Sequence, residues 1–372
     1  MSQPGLNGSH LPTAYELFSV IRDRGASDLH LTAGAPPMVR IDGALNATVY
    51  PVLNSESVQT IVYSLLSESQ RKKFEATNEL DVAFGFRDVG RLRMNVYRQR
   101  GAIAAAVRLI PDKFSSFTEL GLPKVIEDLV KLPSGLVVVT GPTGCGKSTT
   151  LASMIDYINA HRTGHIVTIE DPIEYVHSHK KCLINQREVG QDTDTFAEAL
   201  KHVVREDPNV ILIGEMRDPD TISAALTIAE TGHLVFATLH TPDCAQTINR
   251  IIDVFPPHQI SQARVQLSFV LQAVVGQQLL PHASGTGRVL AAEVLIVTAA
   301  VRNLIREQKV EQIQFAIQTG GVMGMQTMNQ SLVDLYLRRQ ITYPQAIARS
   351  ADPEDLRKLL QKLAPAAVPA QY

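Results

Sequence analysis

A glycine-rich motif at residues 141–148 limits the possible folds of this chain more than any other feature. Its sequence, GPTGCGKS, fits the pattern G-x-x-x-x-G-K-[ST] in full. It follows a continuous apolar run and precedes a helical apolar pattern, which is the strand–loop–helix context that a phosphate-binding loop needs. The glycines let successive backbone N–H groups face one anion, and the helix N-terminus adds its positive end. The motif therefore predicts a nucleotide site in an α/β domain.

The chain after about residue 122 has the pattern that such a domain requires. Four short, continuous apolar runs are typical of strands buried on both faces of a parallel sheet: residues 136–139, 165–169, 210–213 and 234–237. Helical patterns lie between them, and one helix is predicted to have Asp218 as its N-cap, Pro219 at its first position and Gly232 after its end. The region after about Val301 is also predicted to be helical. Strands that alternate with helices indicate an α/β fold.

The first part of the chain has the pattern of a smaller α+β domain with an antiparallel sheet. A helix from Ala14 to Arg24 precedes alternating runs that predict strands: residues 28–31, 38–41, 82–84, 91–97 and 102–109. A length of 372 residues suits two domains. We therefore predict five segments: a flexible tail (1–12), an N-terminal domain (13–110), a linker (111–121), a phosphate-loop domain with C-terminal helices (122–364) and a second flexible tail (365–372).

Composition excludes several classes of protein. The 35 lysines and arginines against 37 acidic residues give a net charge of −2, which argues against a dedicated nucleic-acid-binding protein. The three scattered cysteines form neither a disulfide framework nor a zinc motif, and they fit a reducing cytosol. The longest apolar stretch, residues 289–301, contains Glu293 and is too short to span a bilayer. The N-terminus lacks the pattern of a signal peptide. We therefore expect a soluble intracellular protein.

The glycine-rich motif supplies the candidate residues for binding ATP and Mg²⁺. Lys147 is expected to reach the β- and γ-phosphates, and the Ser148 hydroxyl is expected to bind Mg²⁺. Cys145 lies at a variable position of the motif, where a redox-active thiol and a small residue that only fits the loop are both possible interpretations. The predicted nucleotide-binding residues form one continuous stretch: Gly141, Pro142, Thr143, Gly144, Cys145, Gly146, Lys147, Ser148 and Thr149.

Two acidic strand ends are candidates for the chemistry of hydrolysis. Glu215 follows the apolar run at 210–213, where a general base or water-orienting group belongs, but Gly214 stands where an aspartate is usual. Metal binding would then depend on Ser148 or on another acid. Glu170 or Asp171, at the end of the run at 165–169, could bind Mg²⁺ through water. An ordinary pair of acids at a strand end explains their spacing equally well.

Histidines and arginines complete the set of candidates. His233 and His240 bracket the apolar run at 234–237; a buried histidine is more often structural, but His240 lies at the end where it could contact the γ-phosphate. Five arginines are crowded in the last strands of the first domain: Arg91, Arg93, Arg98, Arg100 and Arg108. They are either a solvated basic face or the source of an arginine that stabilises the transition state from another domain or subunit.

These blocks, in this order, resemble the ATPases of type II/IV secretion, and most of all the type IV pilus retraction ATPases, the PilT family. The resemblance runs from ASDLHL at residues 26–31 to MQTM at 325–328. In family terms residues 141–148 are Walker A, 168–174 the Asp box, 213–217 an atypical Walker B and 232–240 the His box. AVRNLIRE at 300–307 is similar to the retraction-specific motif Ala-Ile-Arg-Asn-Leu-Ile, with Val301 in place of isoleucine.

The resemblance implies a PAS-like N-terminal domain, a RecA-like ATPase domain and a homohexamer with ATP between subunits. It implies Glu215 as the catalytic glutamate, Glu170 as the Asp-box acid, and Arg93 and Arg108 as arginines that contact phosphate. It also raises His233 and His240 to catalytic candidates. The assembly ATPases of the superfamily carry a further N-terminal domain and a four-cysteine metal site, which this sequence lacks.

The resulting prediction is an ATP-hydrolysing hexameric motor for pilus retraction. It would act in the cytoplasm at the inner-membrane base of the pilus machine, peripheral to the membrane and in contact with the platform protein, with no direct nucleic-acid partner. The alternatives are the accessory retraction ATPase, a close paralogue, a RecA-like nucleic-acid translocase and a non-enzymatic ring scaffold. The net charge of −2 and the 5% aromatic content argue against the translocase. Intact Lys147 and Glu215 argue against the scaffold.

Overall fold

The computed structural model describes residues 11–41 and 43–363. The chain divides between Asp112 and Lys113 into two compact units. The tails predicted at 1–12 and 365–372 lie outside the described residues, except for Leu11 and Pro12. Each unit has its own hydrophobic core and its own sheet.

The first unit contains a six-stranded, entirely antiparallel sheet with the strand order β3-β2-β1-β6-β5-β4. Its elements are α1 (Ala14–Asp23), β1 (Asp28–Leu31), β2 (Met38–Ile41), β3 (Ala44–Ala47), α2 (Ser55–Ser64), α3 (Glu68–Thr77), β4 (Glu79–Phe86), β5 (Gly90–Gln99) and β6 (Ala102–Leu109). The predicted helix and strands are present, whereas β3, α2 and α3 were not predicted.

One face of this sheet is apolar and packs against the helices. Along β5, Leu92, Met94 and Val96 are fully buried in the core, and the residues between them are partly exposed on the other face. This alternation follows from the two-residue period of a strand. A capping box of Thr13 and Glu16 starts α1. The buried Leu17, Phe18 and Ile21 of this helix belong to the same core.

The second unit is built on a seven-stranded sheet with the order β13-β12-β7-β11-β10-β8-β9, parallel except for β13. The strands are β7 (Gly135–Thr140), β8 (Gly164–Glu170), β9 (Cys182–Glu188), β10 (Val210–Ile213), β11 (Leu234–Leu239), β12 (Leu271–Pro281) and β13 (Arg288–Ile296). The four predicted strands correspond to β7, β8, β10 and β11.

Helices cover both faces of this sheet and form a C-terminal group. They are α4 (Ile126–Leu129), α5 (Lys147–His161), α6 (Phe196–Val203), α7 (Pro219–Glu230), α8 (Cys244–Asp253), α9 (Ile260–Val270), α10 (Ala299–Arg306), α11 (Ile313–Thr319), α12 (Met328–Leu337), α13 (Tyr343–Arg349) and α14 (Pro353–Leu363). Asp218 caps α7 and Pro219 begins it, as predicted.

The burial of the sheet on two sides explains the continuous apolar runs. In β7, Leu136 and Val138 belong to the core on one side, and Val137 and Val139 belong to the core on the other. The carboxyl ends of β7, β8, β10 and β11 therefore share one edge of the sheet, because parallel strands end on the same side. The phosphate loop, both candidate acids and His240 come from these ends.

Candidate ATP-binding site

The phosphate loop joins the end of β7 to the start of α5. Gly141, Gly144 and Gly146 have φ values of 138°, 78° and 94°, a conformation that glycine adopts without strain. At Gly141 a side chain is also excluded by space, since a Cβ would lie 2.4 Å from the carbonyl oxygen of Gln277. The first turn of α5 has no side-chain cap. Its free backbone N–H groups can therefore bind a phosphate.

Lys147 lies across this loop. Its Nζ donates to the carbonyl oxygens of Gly141, at 2.8 Å, and Pro142, at 3.3 Å. The side chain is buried, and burial lowers the pKa of its ammonium group. These carbonyl contacts hold the lysine at the place where phosphate oxygens would replace them.

A chain of contacts connects Lys147 to the acid at the end of β10. Nζ of Lys147 lies 3.3 Å from Nδ1 of His240, and Nε2 of His240 lies 3.3 Å from Oε2 of Glu215. Because an ammonium group can only donate and a carboxylate can only accept, the neutral imidazole with its proton on Nε2 satisfies both neighbours. Arg217 completes the chain with an ion pair to Oε2 of Glu215 at 2.7 Å. We call Lys147, His240, Glu215 and Arg217 the relay.

The relay keeps Glu215 ionised. Partial burial raises the pKa of its carboxyl group, but the hydrogen bond from Arg217 and the neighbouring His240 outweigh burial and leave the pKa below its ordinary value. The carboxylate is therefore an acceptor at neutral pH. This is the form that orients an attacking water molecule or takes its proton.

Glu170, at the end of β8, lines the same cavity in a different environment. Its Oε1 accepts from Thr168 Oγ1 at 2.6 Å and from Gln186 Nε2 at 3.1 Å. Burial raises the pKa of this carboxyl group in spite of both donors. The two candidate acids thus differ in protonation tendency, with Glu215 the stronger acid.

The oxygen ligands at this edge fit Mg²⁺. The Ser148 hydroxyl and the Glu170 carboxylate both line the cavity, and Mg²⁺ is typically held by one or two protein oxygens together with substrate phosphates. Residues 11–41 and 43–363 contain no group of three or more His, Cys, Asp or Glu residues that could hold a metal ion by themselves. The phosphates of a bound nucleotide and water molecules are the usual remaining ligands of Mg²⁺.

The structure gives a physical reason for glycine at position 214. A Cβ there would lie 3.2 Å from Cα of Glu170 and 3.2 Å from the carbonyl oxygen of Ile169. The Gly214 N–H also donates to that oxygen at 2.8 Å. A side chain at position 214, such as the aspartate that is usual in this motif, would therefore be crowded against the end of β8, whose backbone would have to move by a few tenths of an ångström.

We expect Gly214→Ala to destabilise the protein by about 1–3 kcal/mol, because crowding in a packed interior forces its neighbours to move. The comparison variant is Gly276→Ala, where the added Cβ would meet nothing closer than 3.6 Å. Chemical denaturation of both variants measures the difference. Equal denaturation midpoints would show that the gap between β10 and β8 is wider than we infer.

The relay and the loop surround one cavity of about 590 Å³. Six of the nine predicted nucleotide-binding residues line it: Thr143, Gly144, Gly146, Lys147, Ser148 and Thr149. Gly141 and Pro142 contribute carbonyl oxygens to Lys147 instead. Cys145 is buried, and burial raises the pKa of its thiol, so that the interpretation as a small packing residue fits better than a redox role.

His233 is not brought to this cavity. It lies just before β11, at the opposite end of the strand from His240, and its Nδ1 is 3.1 Å from the carbonyl oxygen of Ile228 and 3.1 Å from Thr231 Oγ1. These contacts tie it to the end of α7. A catalytic role for His233 in the site of its own protomer therefore has no geometric support.

Arg93 and Arg108 lie in the first unit. They are direct cross-strand partners on β5 and β6, on the face of the sheet opposite the core. Arg108 Nε donates to Oδ1 of the buried Asp28 at 2.8 Å, and Arg40 lies 3.7 Å from the other oxygen of that carboxylate. Arg108 is thus oriented by Asp28, while 59% of its side chain remains exposed.

Several cavity residues had no assigned role at the sequence level. Arg217 stands two positions after Glu215, and this spacing could have indicated an ion pair between them. Tyr175 and His177 follow Glu170 in the loop after β8, and Arg288 begins β13. Nothing local in the sequence places Arg288 near the phosphate loop, because it arrives there through the pairing of β13 with β12 and of β12 with β7.

A phosphate loop between a central parallel strand and a helix, with a lysine, a histidine and an ionised glutamate in contact at the same sheet edge, defines a P-loop ATPase. The chain matches the family of type II/IV secretion system proteins over residues 15–362 and belongs to that family.

Several relatives of this chain are pilus proteins. The type IV pilus retraction ATPase PilT of Pseudomonas aeruginosa is 49% identical over 340 residues, which are 91% of this chain and 98% of that protein. The type IV pilus ATPase PilU of the same organism is 40% identical over 93% of this chain and 91% of its own length. A crystal structure of the pilus retraction motor PilT with bound ADP superposes with a TM-score of 0.86, at 50% identity over 93% of this chain and 99% of that one.

These comparisons confirm three predictions: the resemblance to the PilT family, the ATPase activity, and the fold class of an N-terminal α+β domain followed by a RecA-like ATPase domain with C-terminal helices. Within the described residues, no helix is both long enough and apolar enough to cross a membrane. The exact domain limits and the roles of individual site residues stay predictions.

Proposed function

We propose that this protein is the ATP-hydrolysing motor that retracts a type IV pilus. The observation that carries the proposal is the relay, which links the lysine of a complete phosphate loop to an ionised glutamate through one histidine. A terminal phosphate bound at Lys147 would then be coupled through His240 to Glu215, the residue that is proposed to activate water. The similarity to PilT supplies the process that this hydrolysis drives.

Each residue of the site has a proposed role. The loop N–H groups and Lys147 bind the phosphates of ATP, and phosphate oxygens replace the carbonyl contacts of the lysine. Glu215 orients the attacking water and accepts its proton. His240, placed between Lys147 and Glu215, contacts the γ-phosphate. Ser148 and Glu170 hold Mg²⁺, which neutralises charge on the phosphates when it is bound.

The motor is proposed to be a homohexamer with nucleotide sites between subunits. The support is the placement of Arg93 and Arg108 side by side on one face of the first unit, with Arg108 held by Asp28 and still largely exposed. An arginine in this position is available to an anion that approaches from outside its own unit. Arg93 and Arg108 would then stabilise the transition state of a site completed by assembly.

The proposed place of action is the cytoplasmic side of the inner membrane, at the base of the pilus machine, against its platform protein. The proposed domains are residues 13–110 and 122–364, joined by a linker at 111–121 in which residues 111–117 form the hinge. Residues 110–116 contain neither helix nor strand, which suits a segment that changes conformation during the hydrolysis cycle.

The direct test is pilus retraction in a strain that lacks its own copy of this chain. Complementation with the wild-type chain is expected to restore retraction of fluorescently labelled pili, and the Glu215→Gln chain is expected to fail. A second recipient that lacks the accessory ATPase separates the paralogues. Rescue of that recipient alone would assign this chain to the accessory role and contradict the proposal.

A further inference from the structure

Two aromatic residues that line the cavity, Tyr175 and His177, have no role in the hydrolysis chemistry described above. Phe114 packs against both of their rings without lining the cavity itself, and we call the three residues the aromatic wall. The rings of Phe114 and His177 are stacked, with centroids 4.5 Å apart and an interplanar angle of 14°. The ring of Phe114 is 5.9 Å from that of Tyr175. Tyr175 and His177 both line the nucleotide cavity.

The aromatic wall is connected to the phosphate loop separately from the relay. The hydroxyl groups of Tyr175 and Thr149 are 2.9 Å apart, and Thr149 lies in the first turn of α5. Lys147 of the same turn belongs to the relay and contacts His240. The terminal phosphate of ATP belongs at the relay, because Glu215 must reach the water that attacks it. The rest of the nucleotide must then extend along another part of the cavity.

His177 is suited to an uncharged, planar ligand. Its side chain is buried, with 8% of the residue exposed, and Nδ1 has no hydrogen-bond partner among the described residues. Burial lowers the pKa of the imidazole to about 4, so that the ring is neutral at pH 7. A neutral imidazole offers one donor, one acceptor and a flat apolar surface. A buried polar atom without a partner needs one, and a planar ligand with hydrogen-bonding atoms would supply it.

An ion pair also lies beside the aromatic wall. Lys180 lies 5.9 Å from the ring centroid of Phe114 and forms an ion pair with Asp156 at 2.6 Å. Phe114 covers one face of the His177 ring, so that the cavity is lined by the remaining parts of that ring. Lys180 and Asp156 thus extend the packing around Phe114 in this conformation of the chain.

We propose that the aromatic wall is the subsite for the purine base of the nucleotide, with Tyr175 and His177 in contact with the base and Phe114 supporting His177. The proposal rests on the proposed function, since it takes ATP as the substrate. It assigns these residues to the recognition of the base and leaves hydrolysis to the relay.

Calorimetric titration with two ligands tests this assignment. ADP carries the base, whereas inorganic tripolyphosphate carries only phosphates, and neither needs the hydrolysis step. We expect His177→Ala to weaken ADP binding about tenfold or more, because stacking on one base is worth about 1–3 kcal/mol. The affinity for tripolyphosphate is expected to stay within about twofold of the wild type, the uncertainty of such a comparison.

The chain offers a matched control on α5, the helix that carries Thr149. Tyr157 of α5 stacks with His161 at 4.1 Å and with Phe117 at 5.2 Å, yet it does not line the cavity. Tyr157→Ala removes a comparable aromatic contact and is expected to leave both affinities unchanged. His177→Phe preserves the stacked ring if the alanine variant does not fold, and it is expected to weaken ADP binding about threefold through the lost ring nitrogens.

The outcomes separate this inference from the function that it rests on. Equal weakening of ADP and tripolyphosphate by His177→Ala would show that the wall only supports the phosphate loop, and would overturn the inference. Unchanged ADP affinity in both His177 variants would also overturn it. A wild-type chain that binds tripolyphosphate but not ADP would contradict the ATPase itself. Normal base-dependent binding in a chain that fails the retraction assay would contradict only the proposed motor role.

Discussion

Glu215→Gln is expected to reduce ATP turnover at least about a hundredfold, the scale of a lost general base, while ATP binding stays largely intact. Glutamine has the shape of glutamate and keeps an oxygen for Arg217 and His240, but it carries no charge and takes up no proton. Lys147, which is proposed to bind the phosphates, contacts His240, and His240 contacts Glu215. Steady-state hydrolysis and nucleotide titration of the same preparation measure the two quantities.

Two further variants make this result specific. Lys147→Ala is expected to abolish tight ATP binding, because it removes the ammonium group from the phosphate loop. Glu198→Gln is a matched control, since Glu198 also contacts a cation and a histidine, Lys201 and His202, each at 3.1 Å, but on the surface of α6. Its turnover is expected to equal that of the wild type. Equal loss of ATP binding in the Glu215 and Lys147 variants would remove Glu215 from the base role.

The sequence predicted the core of the ATPase domain because two local signals coincide there. The phosphate loop requires a strand before it and a helix after it, and β7 and α5 lie at those positions. Continuous apolar runs predicted strands covered on both faces. In contrast, β12 and β13 were missed. β12 pairs with β7, which lies more than 130 positions earlier in the sequence, and β13 then pairs with β12 at the sheet edge. Amphipathic helices such as α2, capped by Asn54, were present in the pattern but unassigned.

The site shows the same division between local and distant information. Lys147, Glu215, Glu170 and His240 could be found because parallel strands bring their carboxyl ends to one edge. The opposite pKa shifts of Glu215 and Glu170 could not be predicted from the sequence, because they depend on burial and on contacts such as that between Arg217 and Glu215. His233 was predicted from its resemblance to a motif, yet six residues of β11 separate it from His240 and place it at the opposite edge.

Hydrolysis is expected to require Arg108 from a neighbouring subunit, so that Arg108→Ala inactivates a homo-oligomer whose phosphate loops are intact. Removing Arg108 does not leave Asp28 isolated in the first unit, because Ser27 Oγ donates to that carboxylate at 2.8 Å and Arg40 lies 3.7 Å away. Arg87→Ala removes an exposed arginine from the turn between β4 and β5 and is expected to keep full activity. Specific activity of the wild type is expected to rise with protein concentration as oligomers form.

Mixed oligomers decide whether Arg108 acts across the subunit boundary. Lys147→Ala subunits supply arginines but no competent phosphate loop, and Arg108→Ala subunits supply loops but no arginine. Each variant alone is therefore expected to be inactive, whereas a mixture regains activity wherever an intact loop faces an intact arginine. Native mass spectrometry establishes that the subunits mix, and ATPase assays of the mixtures measure the recovery. If confirmed mixed rings stay as inactive as either parent, Arg108 acts within its own subunit or only orients Asp28, and the requirement for a neighbour's arginine is wrong.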